Sequence, residues 1–356
     1  MRVASLLNKA FSLPADGSSA FPESDGEWAS LLEFAEGQGM LGPLFRMSQQ
    51  LPEPQRPKGK RIMRAYFSSE MIERDYRARL DVMQCLAALF QSKGLDVLFL
   101  KGATLSQRYP WPSLRHFSDI DYYLYGRAAE GVEALASAGI GSSEYYHHHT
   151  QSEWKGILLE NHYDFLDREN HRCNLKLDNA LKSLAEKEGR SCPFEAEGFS
   201  APNAYRMTPT MEAVFLMRHM SAHFVASGIT LRQLYDWVLF LHHDADKVDW
   251  ARVSTLFEEA GLSRFAGMVS WLIREKLRLA VVCPIPPEGG ETAEMIWADI
   301  ANPSGINPHR KGTLQFYACE AVIFLKNRWK HRIVYPGESY IMLMFNYLRL
   351  KVRLGR

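Results

Sequence analysis

Between Leu95 and about residue 200 the apolar pattern of this chain changes period, and that change narrows the folds open to it. Ahead of it, residues recur at helical spacing. Trp28, Leu31, Leu32, Phe34 and Ala35 predict a helix within 26–50. Pro52, Pro54 and Pro57 break the pattern. Ile72, Tyr76, Leu80, Met83, Leu86 and Phe90 then predict a long helix, stopped by Lys93-Gly94. From Leu95 the runs shorten. Asp96–Leu100, Phe117–Tyr125, Glu144–Gln151 and Ile157–Leu166 read as strands, with short helices at Ala103–Arg108 and Ala128–Ala138. Tyr109-Pro110-Trp111-Pro112 ends the first of these helices, because a residue before proline avoids the α region. From Pro209 the helical period returns, at Met211–Phe224, Leu231–His242 and Trp250–Glu259. The reading is α+β: a helical segment 1–94, a small mixed-sheet core 95–200, and a helical domain 201–356. Pro284–Gly290 and Pro303–Lys311 read as loops, and Tyr340–Leu350 as a core helix.

Composition removes several classes. The chain has 356 residues, 46% hydrophobic and 23% charged, which is ordinary globular composition. Its 42 basic and 41 acidic side chains give no global field for a polyanion, so no nucleic-acid partner is indicated. No apolar run reaches the roughly 20 residues of a membrane span. The N-terminal apolar stretch is broken by Asn8 and Lys9, unlike a signal peptide. Cys85, Cys173, Cys192, Cys283 and Cys319 lack metal-binding spacing and read as reduced thiols of a cytoplasmic protein.

The chemistry concentrates around two carboxylates. Strand side chains alternate faces, so Asp119 and Asp121 share one face of Phe117–Tyr125 while Ile120, Tyr122 and Leu124 take the other. Adjacent carboxylates repel unless a cation lies between them. Magnesium takes one or two protein carboxylates together with phosphate oxygens. The pair therefore suits a metal–triphosphate complex; the plainer alternative is two solvated acids on an open sheet face. Upstream, Lys101-Gly102-Ala103 joins a strand to a helix. Glycine admits a phosphate to the backbone, the helix start offers N–H donors, and Lys101 adds a charge; the plainer alternative is a βα turn. Downstream, Leu158, Glu160, His162 and Asp164 share a strand face, so Glu160 supplies a third carboxylate and His162 orders it or touches substrate. Asp164 is the same-face alternative to Glu160.

Other polar groups carry weaker signals. Consecutive residues of His147-His148-His149 alternate faces on a strand and are not expected to converge on one metal. His219 and His223 have the i, i+4 spacing of a zinc pair but lack the glutamate of the His-Glu motif, since Met220 follows His219; they read as core contacts. Trp237, Trp250 and Trp271 read as core.

Glycine at a strand–helix turn, a DxD strand and a later acidic strand together resemble the polymerase-β-like nucleotidyltransferase superfamily. Phe99–Ala103, Tyr109–Arg115 and Ser118–Asp121 are similar to a string found in a bacterial group of uncharacterised nucleotidyltransferases. Glu160–Tyr163, and Leu231–Trp237 after His219 and His223, resemble that group's later blocks. The likeness spans about residues 25–270. It implies a nucleotidyltransferase core, magnesium held by Asp119, Asp121 and Glu160, and transfer from a nucleoside triphosphate to an unknown acceptor. It further implies Lys101, Gly102 and Ala103 against the outer phosphates, Glu160 helping to deprotonate an acceptor hydroxyl, and His223, Arg232 and Asp236 lining a cleft under the helical domain; the guanidinium of Arg115 suits either a phosphate oxygen or a surface salt bridge. Gly102-Ala103 stands where the superfamily has Gly-Ser, and the interval to the DxD is longer than usual. Two other readings stay open: a nucleotide-binding or interaction protein that has lost catalysis, and an antitoxin-type enzyme. Neutralising both aspartates is expected to abolish metal-dependent nucleotide binding and to leave stability unharmed or raised, since two repelling charges go.

Overall fold

The computed structural model describes residues 2–15, 21–143, 148–281, 283–302, 309 and 313–343. In chain order the elements are α1 (Arg2–Ala10), α2 (Asp25–Gly37), α3 (Leu41–Gln49), α4 (Lys60–Ser92), β1 (Val97–Phe99), α5 (Ala103–Ser106), β2 (Asp119–Tyr123), α6 (Ala128–Ser137), β3 (His149–Trp154) and β4 (Ile157–His162). They continue with α7 (Asn174–Glu188), β5 (Pro193–Ala196), β6 (Phe199–Arg206), α8 (Pro209–Ala226), α9 (Leu231–Asp244), α10 (Trp250–Glu259), α11 (Ser263–Trp271), α12 (Glu291–Ala301), α13 (Leu314–Lys326) and α14 (Arg328–Val334). The architecture is α+β. The helix expected within 26–50 is two helices, because the chain turns at Gly39 with φ +67°. Long helix α4 ends as its sequence predicts: Gly94 has φ +66°, and Leu95 N–H donates back to the Phe90 carbonyl at 2.9 Å.

The six strands form one mixed sheet in the order β3-β4-β2-β1-β6-β5. β2 runs parallel to β4 and antiparallel to β1, while β1 runs parallel to β6. The hairpins β3–β4 and β5–β6 close the two edges. Alternation then divides the side chains. Val97, Phe99, Ile120, Tyr122, Ile157 and Leu159 pack with Leu80, Met83, Leu86 and Phe90 of α4. Leu98, Leu100 and Tyr123 join a second, larger core that includes Leu177, Leu181, Met211 and Phe215 of α7 and α8. Asp119 and Asp121 are in step with Tyr123, so they face the C-terminal helices. Strand β6 runs through the expected boundary at 200/201. Pro284–Gly290 is irregular, as expected. Residues 144–147 of the third expected strand, nearly all of 303–311, and 344–350 lie outside the described residues. No helix among the described residues is long and apolar enough to cross a membrane.

Candidate active site

Register explains why distant residues meet. In the parallel pair β2–β4, Asp121 lies opposite Glu160 and Tyr123 opposite His162. In the antiparallel pair β3–β4, Gln151 lies opposite Glu160 and His149 opposite His162. One face of the sheet therefore carries Asp121, Glu160 and Gln151 in one row and His162 and His149 in the next. His162 Nε2 is 3.1 Å from Asp121 Oδ1 and 3.9 Å from Glu160 Oε2. Asp164 lies beyond the strand and turns away, forming ion pairs with Lys182 and Arg168. Glu160 is the acid beside Asp121.

Lys101 follows β1, whose last hydrogen bond to β2 joins Leu100 N–H to the Asp121 carbonyl at 3.1 Å. That connection brings the Lys101 ammonium 3.1 Å from Asp121 Oδ2 and 3.4 Å from Asp119 Oδ2. The lysine lies between the two carboxylates, where the sequence suggested a cation and not the lysine. Burial opposes its charge, but Asp121, Asp119 and Glu160 outweigh burial and hold its pKa above the ordinary value. Burial likewise pushes Asp121 up, and Lys101 with His162 overcomes it, so its carboxyl stays well below the usual range. Glu160 goes the other way: burial, then the charge of Asp121, push it up to about 7.

Beside this cluster a cleft opens between the sheet and the C-terminal helices. Lys101, Gly102 and Asp119 line one wall, and His219, His223 and Arg232 the other. The histidines stack along α8 with their Nε2 atoms 3.0 Å apart. Burial and the Lys101 charge lower both, His223 to about 4. Arg232 donates to the His116 carbonyl at 2.7 Å, while its buried Nε has no hydrogen-bond partner among the described residues. Burial and the neighbouring Arg115 lower its pKa.

Two residues expected at a phosphate make other contacts in the structure. Arg115 is buried and spent on protein: Nε and Nη2 grip the two oxygens of Asp236 at 2.7 and 2.8 Å, and Nη1 donates to the Gly102 carbonyl at 3.2 Å. A guanidinium committed to a bidentate pair has little left for a phosphate. Tyr109 joins the pair, donating its hydroxyl to Asp236 Oδ1 at 2.8 Å. Arg108 makes a second buried clamp with Glu212 and Asp244. The stretch from Arg108 to Arg115 thus docks the sheet's connecting loop onto α8 and α9. Ala103 is packed in the sheet-side core with Phe117, so its side chain stays out of the cleft.

The histidine run also departs from expectation. His147 lies outside the described residues, and His148 sits in the turn before β3, where strand alternation does not apply. His148, His149 and His162 bring ligand atoms within 4.8 Å of one another, as do Asp121, Glu160 and His162. The second set is a possible metal site of mixed acidic and imidazole character. Sequence reasoning missed His149. Its signal was the two-residue turn Lys155-Gly156, both at positive φ, which fixes the β3–β4 register and so sets His149 against His162.

Comparison with curated proteins and with solved structures gave no match. The sequence profile of a family described as uncharacterised nucleotidyltransferase matches residues 24–278. That span holds the sheet, the carboxylate cluster and both walls of the cleft. By that match, over more than half its length, the chain belongs to the uncharacterised nucleotidyltransferase family, a transferase family whose substrate class is nucleotides.

Proposed function

We propose that the chain is a magnesium-dependent nucleotidyltransferase that moves a nucleotidyl group from a nucleoside triphosphate to a hydroxyl of a small molecule or protein. The observation that carries this reading is the Asp119–Asp121 pair with an ammonium lodged between its carboxylates beside a cleft. An ammonium in that position supports a reading in which these residues fit a cation. Asp119 and Asp121, extended by Glu160, would hold the metal. Bound magnesium would supply a charge that draws the triphosphate to the sheet and eases departure of pyrophosphate.

The chain's own groups do the rest. Displaced from the carboxylates, Lys101, which lines the cleft, becomes a charge for the outer phosphates. Arg232, in the opposite wall with a donor lacking a partner among the described residues, is the second candidate and takes the role first expected of Arg115. His162 orients Asp121 from the side away from the lysine. The buried Arg115–Asp236 pair keeps the walls in register, which favours catalysis by positioning. The dispersed thiols fit a cytoplasmic location. One observation favours the non-catalytic nucleotide-binding reading: the turn has a buried Ala103 where superfamily members have a serine hydroxyl.

Calorimetric titration with nucleoside triphosphates, with and without magnesium, tests the proposal. Binding that requires magnesium and is lost in Asp119→Asn/Asp121→Asn supports it. Equal binding by wild type and double variant removes the metal role. Magnesium-dependent binding without pyrophosphate release, across a panel of acceptors, favours the non-catalytic reading.

A further inference from the structure

The two strand histidines turn their rings toward one place on the sheet face. His162 Nδ1 lies 3.2 Å from the Asp164 carbonyl. A carbonyl only accepts, so this contact fixes the ring with Nε2 turned toward the carboxylates. Gln151 Nε2 lies 3.3 Å from His149 Nε2 and donates to Glu160 Oε1 at 3.1 Å. The Gln151 amide thus lies beside both His149 Nε2 and Glu160 Oε1 and holds them together. Those two nitrogens face the same carboxylates: His149 Nε2 is 3.5 Å from Glu160 Oε1, and His162 Nε2 is 3.9 Å from Glu160 Oε2 and 3.1 Å from Asp121 Oδ1. The ligand atoms of His148, His149 and His162 all lie within 4.8 Å of one another, and Glu160 borders them, so imidazole nitrogens and a carboxylate converge on one point. Ligands at about 2.0–2.1 Å around a tetrahedral ion stand roughly 3.3 Å apart, close to these spacings.

We propose that His149, His162 and Glu160, with His148 at the rim, form a site for a divalent transition-metal ion of the zinc class, separate in donor chemistry from the all-oxygen Asp119–Asp121 pair. Imidazole donors select zinc and its neighbours over magnesium, which prefers oxygen. The Asp164 carbonyl on His162 Nδ1 is the outer partner that commonly fixes the ring of a metal-binding histidine. His148 brings a third imidazole, its ring centroid 4.7 Å from that of His149 and 5.1 Å from that of His162. The site needs no nucleotide and does not depend on the proposed transfer, although it shares Glu160 with it.

The test uses the full-length chain, stripped with chelator and free of nucleotide, titrated with Co2+ and read by visible absorption. One equivalent should bind with the bands of a nitrogen-ligated, low-coordinate ion. Zn2+ should displace it at stoichiometric amounts, and a hundredfold excess of Mg2+ should not. His149→Ala should weaken Co2+ binding about tenfold or more. His148→Gln, at a half-buried turn position, should weaken binding less and alter the spectrum, and a native urea midpoint in each variant guards against a folding defect. Asp119→Asn should keep the Co2+ spectrum even where magnesium-dependent nucleotide binding is lost, so failure of one reading is distinguishable from failure of the other. No absorption from Co2+, full competition by Mg2+ at equal concentration, or wild-type binding by both histidine variants overturns the site and leaves a proton as the bridge between His162 and Asp121.

Discussion

Asp121 is nearly inaccessible, and its neighbours decide what its charge is worth. Two bare carboxylates would gain from losing a charge, which is the sign expected from sequence. The Lys101 ammonium between them reverses that sign. Removing the Asp121 charge leaves a buried ammonium without its nearer partner, and breaking one side of a buried pair costs more than the pair is worth. Asp121→Asn is therefore expected to destabilise the protein by about 2 kcal/mol, and the more exposed Asp119→Asn by less than about 1 kcal/mol. Adding Lys101→Met to Asp121→Asn should recover part of the loss, since both charges then go together. A double-mutant cycle in urea measures the coupling; additive losses would mean that the lysine and aspartate do not sense one another. The positions of Asp119, Asp121, Glu160 and His162 on one face were legible because a strand's period of two is rigid. Which cation lay between the acids was not, since nothing local in the sequence says where a lysine side chain turns.

Elements differ in how openly their sequence announces them. The ends of α4, β2 and β4 follow from period and glycine. The β5–β6 hairpin was missed: Phe199–Arg206 contains Pro202 and Asn203, which argue against a strand. Tertiary partners override that argument. Asn203 is buried and donates to the Ala87 and Leu95 carbonyls at 3.0 and 2.9 Å, so the polar side chain ties β6 to α4. Helix α5 has only four residues because it serves mainly as a turn. At its start Gly102 has φ +68°, and a Cβ there would come within 2.8 Å of the Phe117 ring. Gly102→Ala should therefore cost about 1–3 kcal/mol through left-handed strain and overpacking, read as a shifted urea midpoint with an unchanged slope. An unchanged midpoint would mean that the turn relaxes freely. The clamp between loop and α9 is the other vulnerable joint. Arg115→Ala leaves Asp236 buried without its partner and should cost about 3–5 kcal/mol. Arg115→Met/Asp236→Leu, which removes both charges, should recover much of that if the Asp236 charge is the cause; equal losses in the two variants would assign the cost to packing.

Across the whole molecule, packing continues past the matched family profile. Residues beyond 278 supply Ile296, Ile300, Ile333 and Val334 to the larger core, and Gln38 reaches from after α2 to the Ile300 carbonyl at 2.9 Å. This closing layer brings a buried histidine, His331, whose pKa is lowered to about 4 by burial and then by His171. His223, in the cleft wall, is lowered to about 4 by burial and Lys101, and His219 beside it is lowered as well. All three act with one sign. An imidazole near 6.5 in the unfolded chain and near 4 in the folded one is neutral in both above pH 7. Below 6.5 the unfolded chain takes up a proton that the native state refuses, so the stability present at neutral pH is lost as pH falls from 6.5 through 4. Between pH 7 and pH 5 each such group contributes a loss of up to about 2 kcal/mol. His331→Phe removes one titrating group while keeping a ring among Phe324, Tyr335 and Tyr340. Its stability at pH 7 should stay within about 1 kcal/mol of wild type, as expected of a volume-conserving core exchange. Its loss on going to pH 5 should be smaller than that of wild type by about 1–2 kcal/mol. Urea denaturation at the two pH values decides the matter, because the difference between the two differences cancels any constant cost of the substitution. Identical pH slopes would mean that His331 titrates normally and that the histidine pair in the cleft wall, next to Lys101, carries the acid sensitivity alone.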